Sequence, residues 1–466
     1  MDAAAAGLEA LGSRIEGLQA YFQSGATREF AFRRDALRAL KSALKDNEEA
    51  LLAALHADMR KPRFEAYMGE LAQVHAEIDH ALENLSAWME PEHVAAPLAL
   101  WPHSSSIRVR PLGVVLIIAP WNYPVLLALA PLVGAVAAGN CAVVKPSEEV
   151  PHTAEVLGRI IAEAFAKDHV AVVQGIGSEV VPPLIAGFRF DHIFFTGSVP
   201  VGRSILAQAA PQLVPVTLEL GGKSPAIVDR RANIRRAAKR IAWSKFFNAG
   251  QTCIATDYTL VHADALDAFL QALAKHTKAF YGKNPQRSPD FARLVNAKHF
   301  GRVQRYLSDG RIVFGGQHDA ADRYIAPTVL TDVPMDSPVM REEIFGPVLP
   351  VIPWREPEEV EALVRRNPTP LALYVFSKDR RVQRHFTERI AFGGGCINHC
   401  MLHFGDVNLP FGGVGTSGMG RYHGKASFDL FTHHQGIVRA GTLPEPGVQY
   451  PPYAGWKEKV IRRMLG

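Results

Sequence analysis

The stretch PLGVVLIIAPWNYPVLLALAPLVGAVAAGNCAVV, residues 111–144, carries no charged side chain. A membrane-spanning helix needs ~20 mostly apolar residues in one piece. Pro111, Pro120, Pro124 and Pro131, with the polar Trp121-Asn122-Tyr123 in the middle, cut this stretch into shorter pieces. It reads instead as a buried strand from Val114 to Ala119, a turn, a helix opened by Pro124, and a second strand from Cys141 to Val144.

The same alternation continues downstream. Strand-like runs VAVV (170–173), IFF (193–195) and VTLEL (216–220) are separated by helix-like stretches, several opened by Pro or Ser. Continuous apolar strands joined by helices mark a parallel sheet covered on both faces. A second series starts at Pro225 with AIV, YTLV and ALDAFLQALAKHTKAF, followed by VLPVI, LALYVF and CINHC. The sequence therefore predicts an α/β protein with two doubly wound parallel-sheet domains meeting at a cleft. Upstream, Leu37, Leu40 and Leu44, then Leu51, Leu52 and Leu55, recur at helical spacing, with Asp35 and Asn47 as candidate caps. In SIRVRP (106–111), Ile107 and Val109 alternate with Arg108 and Arg110 as in a half-exposed strand. GTLPEPGVQYPPYAG (441–455) reads as a surface tail.

Composition narrows the function classes. The chain has 466 residues, and 51 Lys+Arg against 46 Asp+Glu give a net charge of +5. That length holds about three domains at roughly 150 residues each. With 48% hydrophobic and 21% charged residues, disorder and fibrous repeats are excluded. The basic residues are scattered, which gives nucleic-acid binding little support. Four cysteines exclude a disulfide scaffold and point to a reducing compartment. The opening MDAAAAGLEALGSR lacks the basic-then-apolar order of a signal peptide. The closing WKEKVIRRMLG is too short and too charged to span a bilayer. The expectation is a cytoplasmic protein with no membrane span.

Several residues are candidates for chemistry. Cys253, in FNAGQTCIATDY, follows the polar, turn-prone Gly250-Gln251-Thr252, a setting in which backbone amides can favour a thiolate; the alternative is a buried core cysteine. Glu219 sits inside the apolar strand VTLEL, where a carboxylate is costly unless paired, protonated or used. Lys223 is the nearest candidate partner. Asn122, fixed between two prolines in PWNYP, can donate to a developing oxyanion or satisfy its own turn. FFTGSVPVG (194–202) follows a strand and opens a helix, the context of a phosphate site. The formal G-x-G-x-x-G at Gly413, Gly415 and Gly418 has no βα unit around it and is a decoy. Cys396, His399, Cys400 and His403 cluster in CINHCMLH. In an extended strand the two cysteines share one face and the two histidines the other, so no metal site is expected.

Seven ordered blocks span nearly the whole chain: PWNYP, AGNCAVVKPSE, FTGSVPVG, LELGGKSP, FNAGQTC, EEIFGPV and LPFGGVGTSGMGRYHGKASFD. Together they resemble the NAD(P)-dependent aldehyde dehydrogenase superfamily. The last block and YPPY (450–453) are most similar to its class-3 branch. The resemblance implies that Cys253 is the nucleophile, Glu219 the general base and Asn122 the oxyanion donor. It implies that Lys145 and Glu148 hold the adenosine ribose, and that Gly197, Ser198 and Gly202 form the pyrophosphate-side turn of an atypical Rossmann domain. Glu343 and Phe345 would contact the nicotinamide riboside, with Trp121 lining the same groove.

The implied organisation is an NAD(P)-binding domain (1–95 and 112–219), a catalytic domain (220–405), a small β oligomerisation arm (96–111 and 425–440) and a tail (441–466). The partners implied are a small aldehyde, NAD or NADP, and a second copy in a homodimer. Cofactor choice stays open: Glu148 favours NAD by repelling a 2′-phosphate, whereas Lys145 nearby can accept one. Medium- or long-chain aliphatic or aromatic aldehydes are the implied substrates, with Tyr123 and Trp121 suited to an apolar funnel. Thr256 stands where many class-3 members have proline, and His399 where an acid is frequent. Both are expected near the substrate's walls. A CoA-acylating dehydrogenase and a catalytically silent NAD-binding scaffold are the alternative readings, and the intact Cys253, Glu219 and Asn122 set argues against both.

Overall fold

The computed structural model describes residues 2–97, 103–442 and 447–465; residues 98–102 of the expected arm and 443–446 of the expected tail lie outside the described residues. The charge-free stretch forms the strand Val114–Ile118, the helix Pro124–Ala138 and the strand Cys141–Lys145. Every residue of these three elements is buried, so each needs cover on all sides. Gly139, at φ 90°, closes the helix in the left-handed region that glycine adopts without strain. Asn140 then ties the corner: its Oδ1 accepts from Gly113 N (2.8 Å), and its Nδ2 donates to Phe431 O (2.9 Å). Among the described residues no helix is long and apolar enough to cross a membrane.

These strands belong to a six-stranded sheet in the spatial order 418–419, 216–220, 192–197, 114–118, 141–145, 170–172. All neighbours are parallel except Gly418–Met419, which runs antiparallel to Val216–Leu220. The chain starts at the centre with 114–118, builds outward to one side, then returns to build the other. The strand order thus reverses between 114–118 and 192–197, and the crevice beyond the strand ends at such a reversal is where α/β sheets bind ligands. The Gly415-to-Gly418 turn that looked like a nucleotide motif is the edge beside Glu219: Gly418 sits opposite it in the ladder.

The second sheet has seven strands in the order 311–314, 328–331, 348–354, 258–262, 225–228, 372–376, 394–397, parallel except at its 311–314 edge. Ser104–Pro111 pairs antiparallel with Glu92–Val94 on one side and Thr432–Arg439 on the other, forming a small separate sheet. The architecture is mixed α/β, built on two parallel-sheet layers.

Three local expectations are corrected. Asp35 is not a cap: it lies exposed inside the helix Phe30–Asp46, paired with Arg34. Asn47 does sit at a helix junction, but its amide donates back to Ala43 O (2.9 Å) instead of capping the following helix. The CINHC strand stops at Ile397, because Asn398 turns to φ 59°.

Candidate active site

The chain passes from the first sheet to the second through Gly221–Ser224, which brings the end of the strand Val216–Leu220 to the junction. Three short segments meet there: the turn after Val114–Ile118, the end of Val216–Leu220, and the loop entering Tyr258–His262.

That loop is held in an unusual backbone. After the helix Ile234–Phe246, Asn248 and Ala249 both adopt φ 53°, ψ 32°, and Gly250 follows at φ 77°. Non-glycine residues persist there only when their surroundings over-determine them. Asn248 N donates to Glu65 Oε2 (2.9 Å), and Gln251 Nε2 donates to both Asn248 O and Arg293 O (3.0 Å each). Val295 N donates to Gln251 Oε1 (3.0 Å), and the Tyr123 hydroxyl meets Thr252 Oγ1 at 2.6 Å. At Gly250 a side chain would place its Cβ 2.3 Å from Gly346 O, so only glycine fits.

Cys253 emerges from this loop. Burial pushes its thiol up to about 12, helped by the Glu343 and Glu219 carboxylates, while its own N–H and that of Ile254 pull weakly the other way. The free protein therefore holds a thiol, contrary to the thiolate-favouring setting read from the sequence. The core Cys141 reaches the same value, so acidity does not single out Cys253. Access does. Iodoacetamide alkylation of Cys253 in the cofactor-free protein is expected to rise about tenfold per pH unit between roughly pH 7 and 10, following the thiolate fraction. A plateau in alkylation rate below roughly pH 8 would contradict the buried-thiol assignment.

Asn122 is buried, and its Nδ2 donates to Gln251 O (3.1 Å). Its amide therefore aligns with the cysteine loop and not with its own turn, leaving a second N–H. Glu219 is buried with neither carboxylate oxygen hydrogen-bonded, and burial drives its carboxyl well above the usual carboxylate range. The ion pair with Lys223 does not form. Lys223 instead pairs with Asp257 and donates to Val339 O and Glu342 O (2.8 Å each). Asp257 Oδ1 accepts from Ile344 N (2.9 Å), so this buried pair fastens the EEIFGP segment. Glu343 in that segment packs so closely on Gly221 that a Cβ there would lie 1.9 Å from its Oε2. Burial, and after it the Asp257 carboxylate, raises Glu343 to about 8.

Two cavities flank Cys253. The larger, about 610 Å³, is lined by Trp121, Asn122, Gly197, Ser198, Glu219 and Phe345 among others, with Cys253 at its floor. Thr196 Oγ1 and Glu343 Oε1 border it as buried atoms with no hydrogen-bond partner, and the helix Val199–Ala209 starts at its rim. Such a donor and acceptor set, with a helix N-terminus, suits a phosphate-bearing dinucleotide. The smaller cavity, about 170 Å³, is walled by Met68, Tyr123, Trp243, Phe247, Met401 and Phe404, and Cys253 lines it as well.

The remaining sequence candidates fall elsewhere. Trp121 faces the larger cavity, its ring 5.3 Å from Phe345, while Tyr123 faces the smaller. The two rings do not share one funnel. Gly202 lies one turn into the helix, where a Cβ would meet Leu220 at 2.7 Å, so it sets helix-on-strand packing. Lys145 and Glu148 form an ion pair at the end of the strand Cys141–Lys145, Glu148 Oε1 accepts from Gly177 N (2.7 Å), and neither residue lines the larger cavity. Thr256 is buried behind the apolar wall, 3.1 Å from Ser244 Oγ, and His399 stands 6.2 Å behind the Trp243 ring. Cys396 Sγ lies 3.5 Å from His403 Nδ1, and no group of three or more metal-ligating side chains occurs among the described residues. The sequence reading missed Glu65, Lys61 and Glu70. The only trace was charged side chains in KPRFEAYMGEL at positions that fall on a buried face.

A cysteine shared by an apolar cavity and a larger one with a helix N-terminus at its rim, beside the reversal point of a doubly wound sheet, is an arrangement suited to an α/β oxidoreductase. Comparison with known proteins narrows this. The aldehyde dehydrogenase family model matches residues 2–437. The 4,4′-diaponeurosporen-aldehyde dehydrogenase of Staphylococcus aureus is 46% identical over 95% of this chain and 96% of its own. Human aldehyde dehydrogenase family 3 member B1 is 45% identical over 96% and 95%. A substrate-bound Staphylococcus aureus AldH structure superposes with TM-score 0.95 at 44% identity, covering 98% of this chain and 99% of that one. The NADP complex of Methanocaldococcus jannaschii glyceraldehyde-3-phosphate dehydrogenase matches at TM-score 0.84 and 25% identity, over 93% and 95%. The NAD+ and IAA complex of Pseudomonas syringae AldA, an indole-3-acetaldehyde dehydrogenase, matches at 0.84 and 28%, over 91% and 88%. The chain belongs to the aldehyde dehydrogenase family. It is an enzyme that oxidises aldehydes to carboxylic acids.

Proposed function

We propose that Cys253 is the nucleophile, Asn122 the oxyanion donor and Glu219 the hydrolytic base of this oxidation. The observation that carries the reading is the position of Cys253, open both to the apolar cavity and to the cavity that Glu219 and Asn122 line. An aldehyde entering through the apolar side meets Sγ. The Sγ proton passes to water in the larger cavity as the S–C bond forms, the carbonyl oxygen becomes an oxyanion, and the free Asn122 N–H with a backbone N–H stabilises it; one such donor contributes ~3–4 kcal/mol in comparable sites. The bound nicotinamide supplies the hydride acceptor. Hydride loss leaves an acyl thioester on Cys253. Glu219 takes a proton from water, the hydroxide adds to the thioester, and the C–S bond breaks to release the acid. A carboxyl kept neutral by burial is a strong base once ionised.

Residues 1–95 and 112–219 form the NAD(P)-binding domain and 220–405 the catalytic domain in this reading. The large cavity is the dinucleotide site, with Gly197, Ser198 and the helix behind them taking phosphate, Trp121, Glu343 and Phe345 the nicotinamide end, and Lys145 with Glu148 the adenosine ribose. Burial alone would raise the Glu148 carboxyl, but the Lys145 ammonium and the Gly177 N–H hold it below its usual range. An anion there repels a 2′-phosphate, so NAD is favoured. Glu148→Gln should raise NADP use relative to NAD, in kcat/KM, by about tenfold, or about 1.4 kcal/mol; an unchanged ratio would remove Glu148 from cofactor choice.

The apolar walls favour medium- or long-chain aliphatic or aromatic aldehydes. The 96–111 and 425–440 segments, in which Thr432–Arg439 exposes six of its eight side chains and Ser104–Pro111 is mostly half-buried, form the arm of a homodimer. Four free cysteines fit a cytoplasmic, reducing location. The deciding experiment mixes the enzyme with NAD and an aldehyde series in the absence of CoA. Carboxylic acid should form stoichiometrically with reduced nicotinamide. A requirement for CoA would move the enzyme to the acylating class, and dinucleotide binding without turnover would make it a silent scaffold.

A further inference from the structure

Lys61 and Glu70 are both fully buried and form an ion pair at 2.5 Å. Burying two charges is costly unless further hydrogen bonds satisfy the pair. Here every further contact goes to one turn. Lys61 Nζ donates to Asn122 O (3.0 Å) and stands 4.2 Å over the Tyr123 ring. The other oxygen of Glu70 accepts from Val125 N (2.8 Å) and Leu126 N (3.4 Å), two of the orphan donors at the start of the helix Pro124–Ala138. That helix has no side-chain cap of its own, so Glu70 caps it from another element.

The pair thus grips the backbone on both sides of Asn122 and Tyr123. Asn248 Nδ2 adds a second hydrogen bond to Asn122 O (3.0 Å), which joins the same turn to the cysteine loop. Glu70 reaches this position because the chain winds as a π-helical turn over Tyr67–Leu71 between two α-helical segments. The extra residue of a π-turn shifts the phase of the helix, and such turns concentrate at functional sites. Here Met68 and Gly69 line the apolar cavity while Glu70 points into the core. A Cβ at Gly69 would press on Phe247 (3.2 Å) and Tyr123 (3.3 Å).

We infer that the buried Lys61–Glu70 pair is a positioning device that aims the Asn122 side-chain amide at the reacting carbonyl. This rests on the assignment of Asn122 as oxyanion donor. The pair touches no reacting atom and acts through the turn it holds.

The test is a cycle in the full-length enzyme with NAD: Asn122→Ala, the charge-neutral Lys61→Met/Glu70→Gln, and all three changes together. The readout is the rate of the first-turnover burst of reduced nicotinamide at saturating aldehyde, with KM and the melting temperature alongside. The pair variant should lose about 10- to 100-fold in burst rate with little change in KM, as expected when a donor is misplaced by a fraction of an ångström. In the Asn122→Ala background the same two changes should cost nothing further. Losses that multiply would show that the pair acts by some route other than Asn122 and overturn the inference. A folded pair variant with full burst rate, beside a slow Asn122→Ala, overturns it while leaving the oxyanion assignment intact. A fast Asn122→Ala overturns both, starting with the assignment. If the double change does not fold, Glu70→Gln alone, which keeps the shape and one acceptor oxygen, carries the same cycle at smaller amplitude.

Discussion

Cys253→Ala is expected to abolish aldehyde-dependent reduction of the nicotinamide, a loss of about 10⁴-fold or more, as when a covalent nucleophile is removed from a preorganised site. The dinucleotide cavity loses only one sulfur from its floor, so cofactor affinity should stay within a few-fold of the parent. The other three thiols provide the control. Cys141 is fully buried within a strand of the first sheet, Cys400 is fully buried beside Thr256, and Cys396 faces His403. None of them lines either cavity flanking Cys253, so their alanine variants should keep substantial turnover. Absorbance of reduced nicotinamide on mixing with aldehyde measures all four. Substantial turnover in Cys253→Ala would end the covalent reading.

Glu219→Gln should separate the two halves of the reaction. Formation of the thioester needs the sulfur and the oxyanion donors, whereas its hydrolysis needs a base for water. A burst of one reduced nicotinamide per site should survive, and steady-state turnover should fall by about 10²- to 10⁴-fold. The sign with pH follows from burial, which holds the Glu219 carboxyl neutral well above the usual range. A base must be ionised to act, so turnover in the parent enzyme rises as pH increases through the Glu219 titration. That dependence should flatten in the glutamine variant. Rapid mixing followed by steady-state rates at several pH values checks both statements. Full steady-state turnover in Glu219→Gln would assign the base elsewhere, with Glu343, raised to about 8 by burial and Asp257, as the next carboxyl on the same cavity.

Much of the fold was legible because its strands are buried on both faces. Val114–Ile118, Cys141–Lys145 and Val216–Leu220 are continuous apolar runs with clear punctuation, and their order already implies parallel pairing. The antiparallel edge of Arg311–Phe314 on Thr328–Thr331 was not legible, since short edge strands lack that pattern. The CINHC strand was read too long because no proline or glycine marks its end at Asn398. Cys253, Glu219 and Asn122 stood out because each is a reactive or polar type in an apolar or rigid context. Two of the physical reasons came only from structure: the thiol is raised and not lowered, and Glu219 has no cationic partner because Asp257 takes Lys223. Trp121 and Tyr123, two residues apart, would share a face on a strand, but the turn sends them to different cavities. Lys61 and Glu70 left only a faint signal, because a Lys and a Glu among helical segments look like a solvated surface until the packing is known.

The central claim is that the acyl group passes through Cys253. The direct measurement is the mass of the Cys253 peptide after Glu219→Gln enzyme has been mixed with NAD and an aldehyde and then quenched in acid. The assignment predicts that peptide heavier by one acyl group, in amount equal to the burst of reduced nicotinamide. A burst of the same size with Cys253 unmodified, or with the acyl group on another side chain, would contradict it.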